Sequence, residues 1–360
     1  WTRNYYVRAK NNPTPSNAPT GVSGDDIRWL PVALSPANLS PSATVVPPLP
    51  GPEEYPQFMR DLRNSGRVPS LPTNYNPPVN LPGSQSGGAY VAPLVIYNNT
   101  VYAISTDNHL YAIDKQAGNQ RWRYDLGEPV RQSPFVINSN IYLATVGGNV
   151  IALADQVNAA TQIWKQKVSE TTLEPTTGIK VVGDKLFLGT KDDAGAYLYR
   201  LDLNNPTAQQ RFQYVGSMIQ TPIIAGNLVL VAGSWLDAYD IDNFSTDKSI
   251  HNPWHKDLNG DGFLTPQVYV SPGLKALAEL FVVDATGLIN VINPNTGEPL
   301  MNPIQGADNA KLLTVTDSYI VTIGGGSVRR FNRTDGGRLG DIGIDGSEPM
   351  LASSSGNRLL

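Results

Sequence analysis

From residue 91 onward the chain alternates short apolar runs with turn-forming residues. One stretch holds Thr-Val-Tyr-Ala-Ile-Ser (100–105), Leu-Tyr-Ala-Ile-Asp (110–114) and Ala-Gly-Asn-Gln-Arg-Trp-Arg-Tyr-Asp-Leu-Gly (117–127). The next opens at Ser133-Pro134 and holds Asn-Ile-Tyr-Leu-Ala-Thr (140–145), Val-Ile-Ala-Leu-Ala-Asp (150–155) and Gln-Ile-Trp-Lys (162–165). Each run is too short for a helix and too apolar for a loop, so each reads as a β-strand. Four strands make one unit: a proline-led strand, two apolar strands separated by a Gly or Asn turn, and a strand carrying Trp.

Four later units keep this frame with drift. The first opens at Pro175 and holds 185–190, 197–202 and Phe212 in the Trp place; the second opens at Pro222 and holds 228–233, 238–242 and Trp254. The third opens at Pro266 and holds 280–284, 289–293 and Asn-Thr-Gly-Glu (295–298); the last holds 319–323, 328–332 and 336–339. The opening prolines 93, 134, 175, 222 and 266 are spaced 41, 41, 47 and 44 apart, and Pro349 follows after 83, two units on. A period of roughly 40–50 residues with four strands per unit predicts an all-β chain, a β-propeller of four-stranded antiparallel blades.

Ala-Ile-Asp-Lys-Gln-Ala-Gly-Asn-Gln-Arg-Trp (112–122) and Asn-Pro-Asn-Thr-Gly-Glu (293–298) resemble the Ala-x-Asp-x-x-Thr-Gly-x-x-x-Trp pattern of the pyrroloquinoline-quinone (PQQ) repeat family. The resemblance covers about residues 91–350 and speaks to fold far more than to function. In this pattern Gly118 and Gly297 supply the positive φ of a tight turn. The Trp lays a large apolar surface against the neighbouring blade, and Ala112 and Ala152 leave room for it.

The C-terminal residues 348–360 match only the opening strand and turn of a seventh unit. Residues 4–9 and 27–34 read as its third and Trp strands, with Arg28-Trp29 aligned on Arg121-Trp122. Seven blades are therefore expected, the last closed by the N-terminal strands (residues 1–35); a chain continuing past Leu360 would make eight. Residues 36–90 form a proline-rich extended segment, and 91–360 the blades. Tyr55, Phe58, Met59, Leu62, Leu71, Tyr75 and Leu81 give that segment apolar groups. It reads either as a loop packed on the propeller or as an arm along a partner subunit.

Composition narrows the chemistry. The net charge of −4 gives no electrostatic reason to bind nucleic acid. The chain has no cysteine, which excludes disulfides, thiolate metal sites and a Cys nucleophile. Its richness in Asn, Thr, Ser and Pro favours an extracytoplasmic place. The chain opens on Trp1 with a mix of aromatics and cations, a composition found after membrane spans. Membrane association through a segment preceding Trp1 is therefore an expectation.

One motif points to a cation. Asp257-Leu-Asn-Gly-Asp-Gly-Phe-Leu-Thr265 places Asp257, Asn259, Asp261 and the Phe263 carbonyl as calcium ligands. Thr265 and Val268 stand where the two known loop types carry their strongest carboxylate, and the same residues also read as a blade-to-blade turn. His251 and His255 are four apart, but Pro253 between them argues against a helical zinc pair. Gly324-Gly325-Gly326 reads as a blade hairpin, since no helix follows it. The resemblance implies a non-catalytic branch, BamB-like and related scaffold propellers. The expected role is a non-enzymatic protein-binding scaffold subunit of an extracytoplasmic or membrane-attached assembly that requires no cofactor, with calcium as an optional ligand. The alternatives are a PQQ-dependent dehydrogenase or a small-ligand-sensing propeller. The absent cysteine pair and the placement of Trp on outer strands weigh against the dehydrogenase.

Overall fold

Two-residue turns set the register of the first blades. Asn98 and Asn99 take φ of 45° and 58°, and Asn138 and Ser139 take 49° and 60°. This is the left-handed pair that matches the natural twist of two antiparallel strands. In a computed structural model these turns join Val95–Tyr97 to Thr100–Ile104 and Phe135–Ile137 to Asn140–Ala144. The structure describes residues 6–8, 29–31, 86–169, 174–175, 178–192, 195–214, 221–233, 235–244, 253–258, 267–270, 278–343, 354–355 and 358–359.

Residues 86–343 hold six antiparallel sheets, and all but the third are simple meanders in chain order. The first contains Val95–Tyr97, Thr100–Ile104, His109–Asp114 and Gln120–Asp125. The second contains Phe135–Ile137, Asn140–Ala144, Asn149–Gln156 and Ala159–Lys167. The third runs from Lys180–Val182 through Lys185–Asp192 and Gly195–Asp202 to Gln209–Tyr214. The fourth is Ile223–Ala225, Leu228–Ala232, Leu236–Asp240 and Trp254–Lys256. The fifth is Gln267–Val270, Ala278–Val283 and Ile289–Ile292, and the sixth runs from Leu312–Val315 to Arg338–Gly343. Four of these sheets are four-stranded as expected, while the third carries an extra short strand and the fifth has three strands.

Two units depart from the expected frame. Pro175 does not open the third sheet as Pro134 opens the second. It sits with Glu174 in a separate two-residue strand against Lys191 and Thr190, while Lys180–Val182 takes the inner position. The fifth sheet has no regular fourth strand. Only two isolated bridges, Ile292↔Pro299 and Ile289↔Ile304, stand in its place. Proline has no N–H to give a ladder, so Pro299 and Pro303 break the strand that the repeat would supply.

The chain divides into two units, Trp1–Val46 and Pro47–Leu360. In the first, Tyr6–Arg8 pairs antiparallel with Trp29–Pro31. Near the other end of the chain, Ser354–Ser355 pairs with Arg358–Leu359.

The inner strands are apolar run by run because both of their faces are covered. In the second sheet Val136, Ile141, Leu143, Ile151 and Leu153 join a cluster with Val95, Leu110 and Trp122 of the first. The alternate residues Phe135, Tyr142, Val150 and Ala152 join Leu186, Phe187 and Leu198 of the third. The fifth sheet behaves the same way: Leu280, Val282 and Ile292 face the fourth sheet, and Phe281, Val283 and Val291 face the sixth. Alternation is present, but it sorts side chains between two neighbours rather than between core and water.

Small residues sit opposite the outer-strand Trp residues. Trp122 pairs across the ladder with Ala112, Trp164 with Ala152 and Trp254 with Ala238. Trp122 and Trp254 are buried as expected, at 4% and 8% exposure. Trp164 is only partly buried, beside a β-bulge between Gln162 and Trp164, and meets the Tyr142 ring of its own sheet at 6.2 Å with the planes tilted by 44°. The bulge turns Ile163 out to solvent at 50% exposure.

Gly297 shows why the repeat needs glycine at its turn. Its φ is +72°, and a Cβ there would lie 2.8 Å from the Trp254 ring. Gly127 has a similar φ of +68° with nothing within 4 Å of the added carbon. Gly127→Ala should therefore cost only the left-handed strain of about 1 kcal/mol, and Gly297→Ala roughly 1–3 kcal/mol more from overpacking. Urea unfolding of the two variants measures the difference; equal losses would mean that the indole does not press on the turn.

Candidate functional site

The sheets dock through indole-to-turn contacts. Trp122 of the first sheet donates its Nε1–H to Asp155 Oδ1 of the second at 2.8 Å, and Tyr102 Oη donates to Asp155 Oδ2 at 2.6 Å. Arg121 reaches the same turn, donating to the Val157 carbonyl from Nε and Nη2 at 3.0 and 2.8 Å. Burial and the Asp155 carboxylate push the Tyr102 hydroxyl far above its ordinary pKa, so it stays a donor. Trp254 of the fourth sheet donates to the Pro294 carbonyl of the fifth at 3.0 Å. By ladder register Ala154 stands where other sheets carry a residue that caps its own turn, and Asp155 lies one residue beyond it. Asp114 Oδ1 accepts from the N–H of Gln116 and Ala117, Asp240 Oδ1 from Asp242 and Asn243, and Asn293 Oδ1 from Asn295.

A second linker lies between the first and second sheets. Glu128, in the connecting loop, accepts from Thr145 Oγ1 at 2.6 Å, from Asn149 Nδ2 at 2.8 Å and from Lys165 Nζ at 2.7 Å. Burial opposes its charge, yet Lys165, Thr145 and Asn149 together hold its carboxyl below the usual range.

The interrupted edge of the fifth sheet opens a cleft of about 660 Å³, lined by Lys256, Asn290, Val291, Leu300, Met301 and Pro303 among others. Leu300 is exposed at 47%. Lys256 is partly buried and donates to the Gly297 carbonyl at 3.2 Å. Lys256 is the one ionisable residue among those lining the cleft.

Of the expected calcium ligands, Asp257 is exposed just after Trp254–Lys256. Asn259, Asp261 and Phe263 lie outside the described residues, as do the arm residues Tyr55, Phe58, Met59, Leu62 and Tyr75. Among the described residues no group of three or more His, Asp or Glu could hold a metal ion. His251 is also outside them, while His255 pairs instead with Asp237 across the ladder, Nδ1 to Oδ1 at 2.7 Å. Gly324-Gly325-Gly326 forms the hairpin between Tyr319–Gly324 and Ser327–Asn332. Sequence reasoning missed the cleft; its signal was Pro299 and Pro303 standing where the fourth strand belongs.

With its meandering four-stranded sheets packed face to face through Trp-on-turn contacts, the chain is a β-propeller of the PQQ-repeat class. A family model described as outer membrane protein assembly factor BamB matches residues 80–262, half of the chain, and the chain belongs to that family. A curated relative, the outer membrane protein assembly factor BamB of Moranella endobia (strain PCIT), is 25% identical over 137 residues. That match covers 38% of this chain and 33% of the relative, so it spans about a third of the relative's length. The crystal structure of BamB from Moraxella catarrhalis aligns with a TM-score of 0.58 and 14% identity, over 77% of this chain and 80% of that one. A europium-containing methanol dehydrogenase aligns at 0.61 and 14% identity, over 82% and 79%. At these identities the structural likenesses establish the fold alone.

Glu128 gives the junction a pH signature. A carboxyl depressed in the folded state stabilises the fold above its unfolded pKa and loses that contribution as pH falls through the folded value. Stability should therefore decline below about pH 4.5, the ordinary glutamate range, and Glu128→Gln should remove part of that decline. Urea midpoints from pH 7 to 3 test this; parallel curves for the variant and the parent would place the acid sensitivity elsewhere.

Proposed function

We propose that this chain is a non-enzymatic, protein-binding scaffold subunit of an extracytoplasmic or membrane-attached assembly. The observation that carries the reading is its membership, over residues 80–262, of a family described as an assembly factor. The described indoles support it too. Trp122 and Trp254 spend their faces and N–H groups on neighbouring turns, so neither offers the free aromatic floor on which a flat quinone would stack. The fold likeness to methanol dehydrogenase favours the second reading, a PQQ-dependent dehydrogenase, but a fold does not by itself carry an activity.

In this reading residues 1–35 complete the seventh blade, and residues 36–90 form an arm. Tyr55, Phe58, Met59, Leu62 and Tyr75 are its contacts to a partner subunit. Proline restricts the unbound segment and lowers the entropy lost on ordering it. The loop at Asp257, Asn259, Asp261 and Phe263 binds calcium weakly and serves structure only.

Deleting residues 40–85 should leave a folded propeller that no longer co-purifies with its assembly. PQQ added with calcium should give no alcohol or sugar oxidation and no quinone absorbance after gel filtration. Stoichiometric retention of PQQ would promote the dehydrogenase. Unfolding of the deleted chain, or an unchanged complex, would remove the arm from the partner interface.

A further inference from the structure

The sixth sheet breaks the Trp pattern at its outer strand, Arg338–Gly343. Its register repeats that of the first sheet. Ala112 pairs with Trp122 and Ile113 with Gln120; likewise Arg330 pairs with Gly340 and Phe331 with Arg338. One residue, Arg121 or Leu339, is bulged between the two pairs. Gly340 therefore stands where the first sheet carries its indole, and Arg330 stands where it carries alanine. A Cβ built on Gly340 meets nothing within 4 Å, so the space beside it is open. Its φ is +143°, which suits glycine and would strain any other residue. All six residues of this strand are exposed, Leu339 at 45% and Ile342 at 68%. Ile342 pairs with Val328, on the same face as Arg330. Arg330 is exposed too, with its guanidinium 4.9 Å from the centre of the Tyr319 ring. Among the described residues it makes no hydrogen bond and no ion pair.

We propose that this rim is a slot for an aromatic side chain flanked by a carboxylate, presented by a partner protein. The inference rests on the scaffold reading and names one of its contact surfaces. Three features select that occupant. The open space at Gly340 takes a ring where the first sheet places its own. Arg330 already lays one guanidinium face on Tyr319, which fixes its plane; the opposite face stacks on the incoming ring, and its edge N–H groups take the carboxylate. Ile342 and Leu339 leave water when the ring covers them. The acidic flank follows from charge. Arg338 is offset by Asp341 and Arg329 donates to the Asp308 carbonyl, whereas Arg330 has no counter-charge among the described residues. An arginine beside an apolar slot is the composition that anchors protein interfaces.

The probes are capped Gly-Glu-Trp-Glu-Gly, Gly-Glu-Ala-Glu-Gly and Gly-Lys-Trp-Lys-Gly peptides, titrated into the isotope-labelled full chain. The acidic Trp peptide should shift the Val328, Gly340 and Ile342 amides and saturate by millimolar concentration. The peptide without the ring and the basic peptide should each bind about tenfold more weakly, the loss of one stacked or charge-assisted contact. Arg330→Glu should reverse the charge preference, and Ile342→Ser should weaken the acidic Trp peptide. Both positions are exposed, so the urea midpoints of the variants should match the parent's. Amides that stay still at millimolar acidic Trp peptide, equal binding of the peptide without the ring, or an unchanged preference in Arg330→Glu would overturn the proposal. So would Gly340 and Ile342 amides that a soluble paramagnetic probe fails to broaden in the free chain, since the chain would then fill the slot itself. Co-purification of the parent chain separates this claim from the scaffold reading. A chain that joins its assembly while no peptide binds loses the slot but keeps the scaffold. A chain that joins no assembly yet binds the acidic Trp peptide does the reverse.

Discussion

A sheet with two apolar faces cannot stand in water, and every sheet between residues 95 and 343 that has a described neighbour on each side is apolar on both faces. Each must be covered twice, and only a neighbouring sheet of similar size can cover it. That requirement explains the chain's main features: the tandem repeat, the run-by-run hydrophobicity of the inner strands, the alternation of Val136 and Phe135 toward opposite neighbours, and the burial of both faces of the three inner strands in the second sheet. At about 25 cal/mol per Å² of apolar surface, such contacts dominate the stability of the unit.

The indoles make the packing specific as well as favourable. A flat apolar face would slide. Trp122 is fixed by Asp155, Arg121 by the Val157 carbonyl, and Trp254 by the Pro294 carbonyl under a glycine that admits the ring. Each contact joins the last strand of one sheet to a turn of the next, so the turn chemistry of one unit is set by the outer strand of the unit before it. This is also why the motif residues have no chemistry to spare. Their donors and acceptors are consumed between sheets, and what is left for partners is edges and loops.

The sheets were legible in the sequence because they follow a local rule. Proline-led openings, two-residue Asn or Gly turns and the Ala-to-Trp spacing each fix a register, and the cross-strand pairs Ala112–Trp122 and Ala152–Trp164 follow from them. Legibility failed where position depends on tertiary contact. Pro175 kept the repeat spacing but sits in an extra strand, since spacing does not say which segment wins the inner ladder. Trp164 kept its place in the pattern but not its burial, because a one-residue bulge redirects its strand. The cleft was hidden for the opposite reason. Pro299 and Pro303 looked like ordinary turn residues, and only the pairing of Ile289 with Ile304 reveals them as an interruption. The Asp237–His255 pair was invisible in the same way, being set by ladder register across 18 residues.

If double coverage is the governing constraint, the sheets must lose stability together. Native-state hydrogen exchange in the Trp254→Ala variant tests this most directly. Trp254 lies between the fourth and fifth sheets, and its removal should cost about 3–5 kcal/mol. The account predicts that the slowest amides of the first sheet, in Thr100–Ile104 and His109–Asp114, lose as much protection as those of Leu228–Ala232 and Ala278–Val283. A loss confined to the fourth and fifth sheets, with the first unchanged, would contradict it and show the sheets to be separately stable.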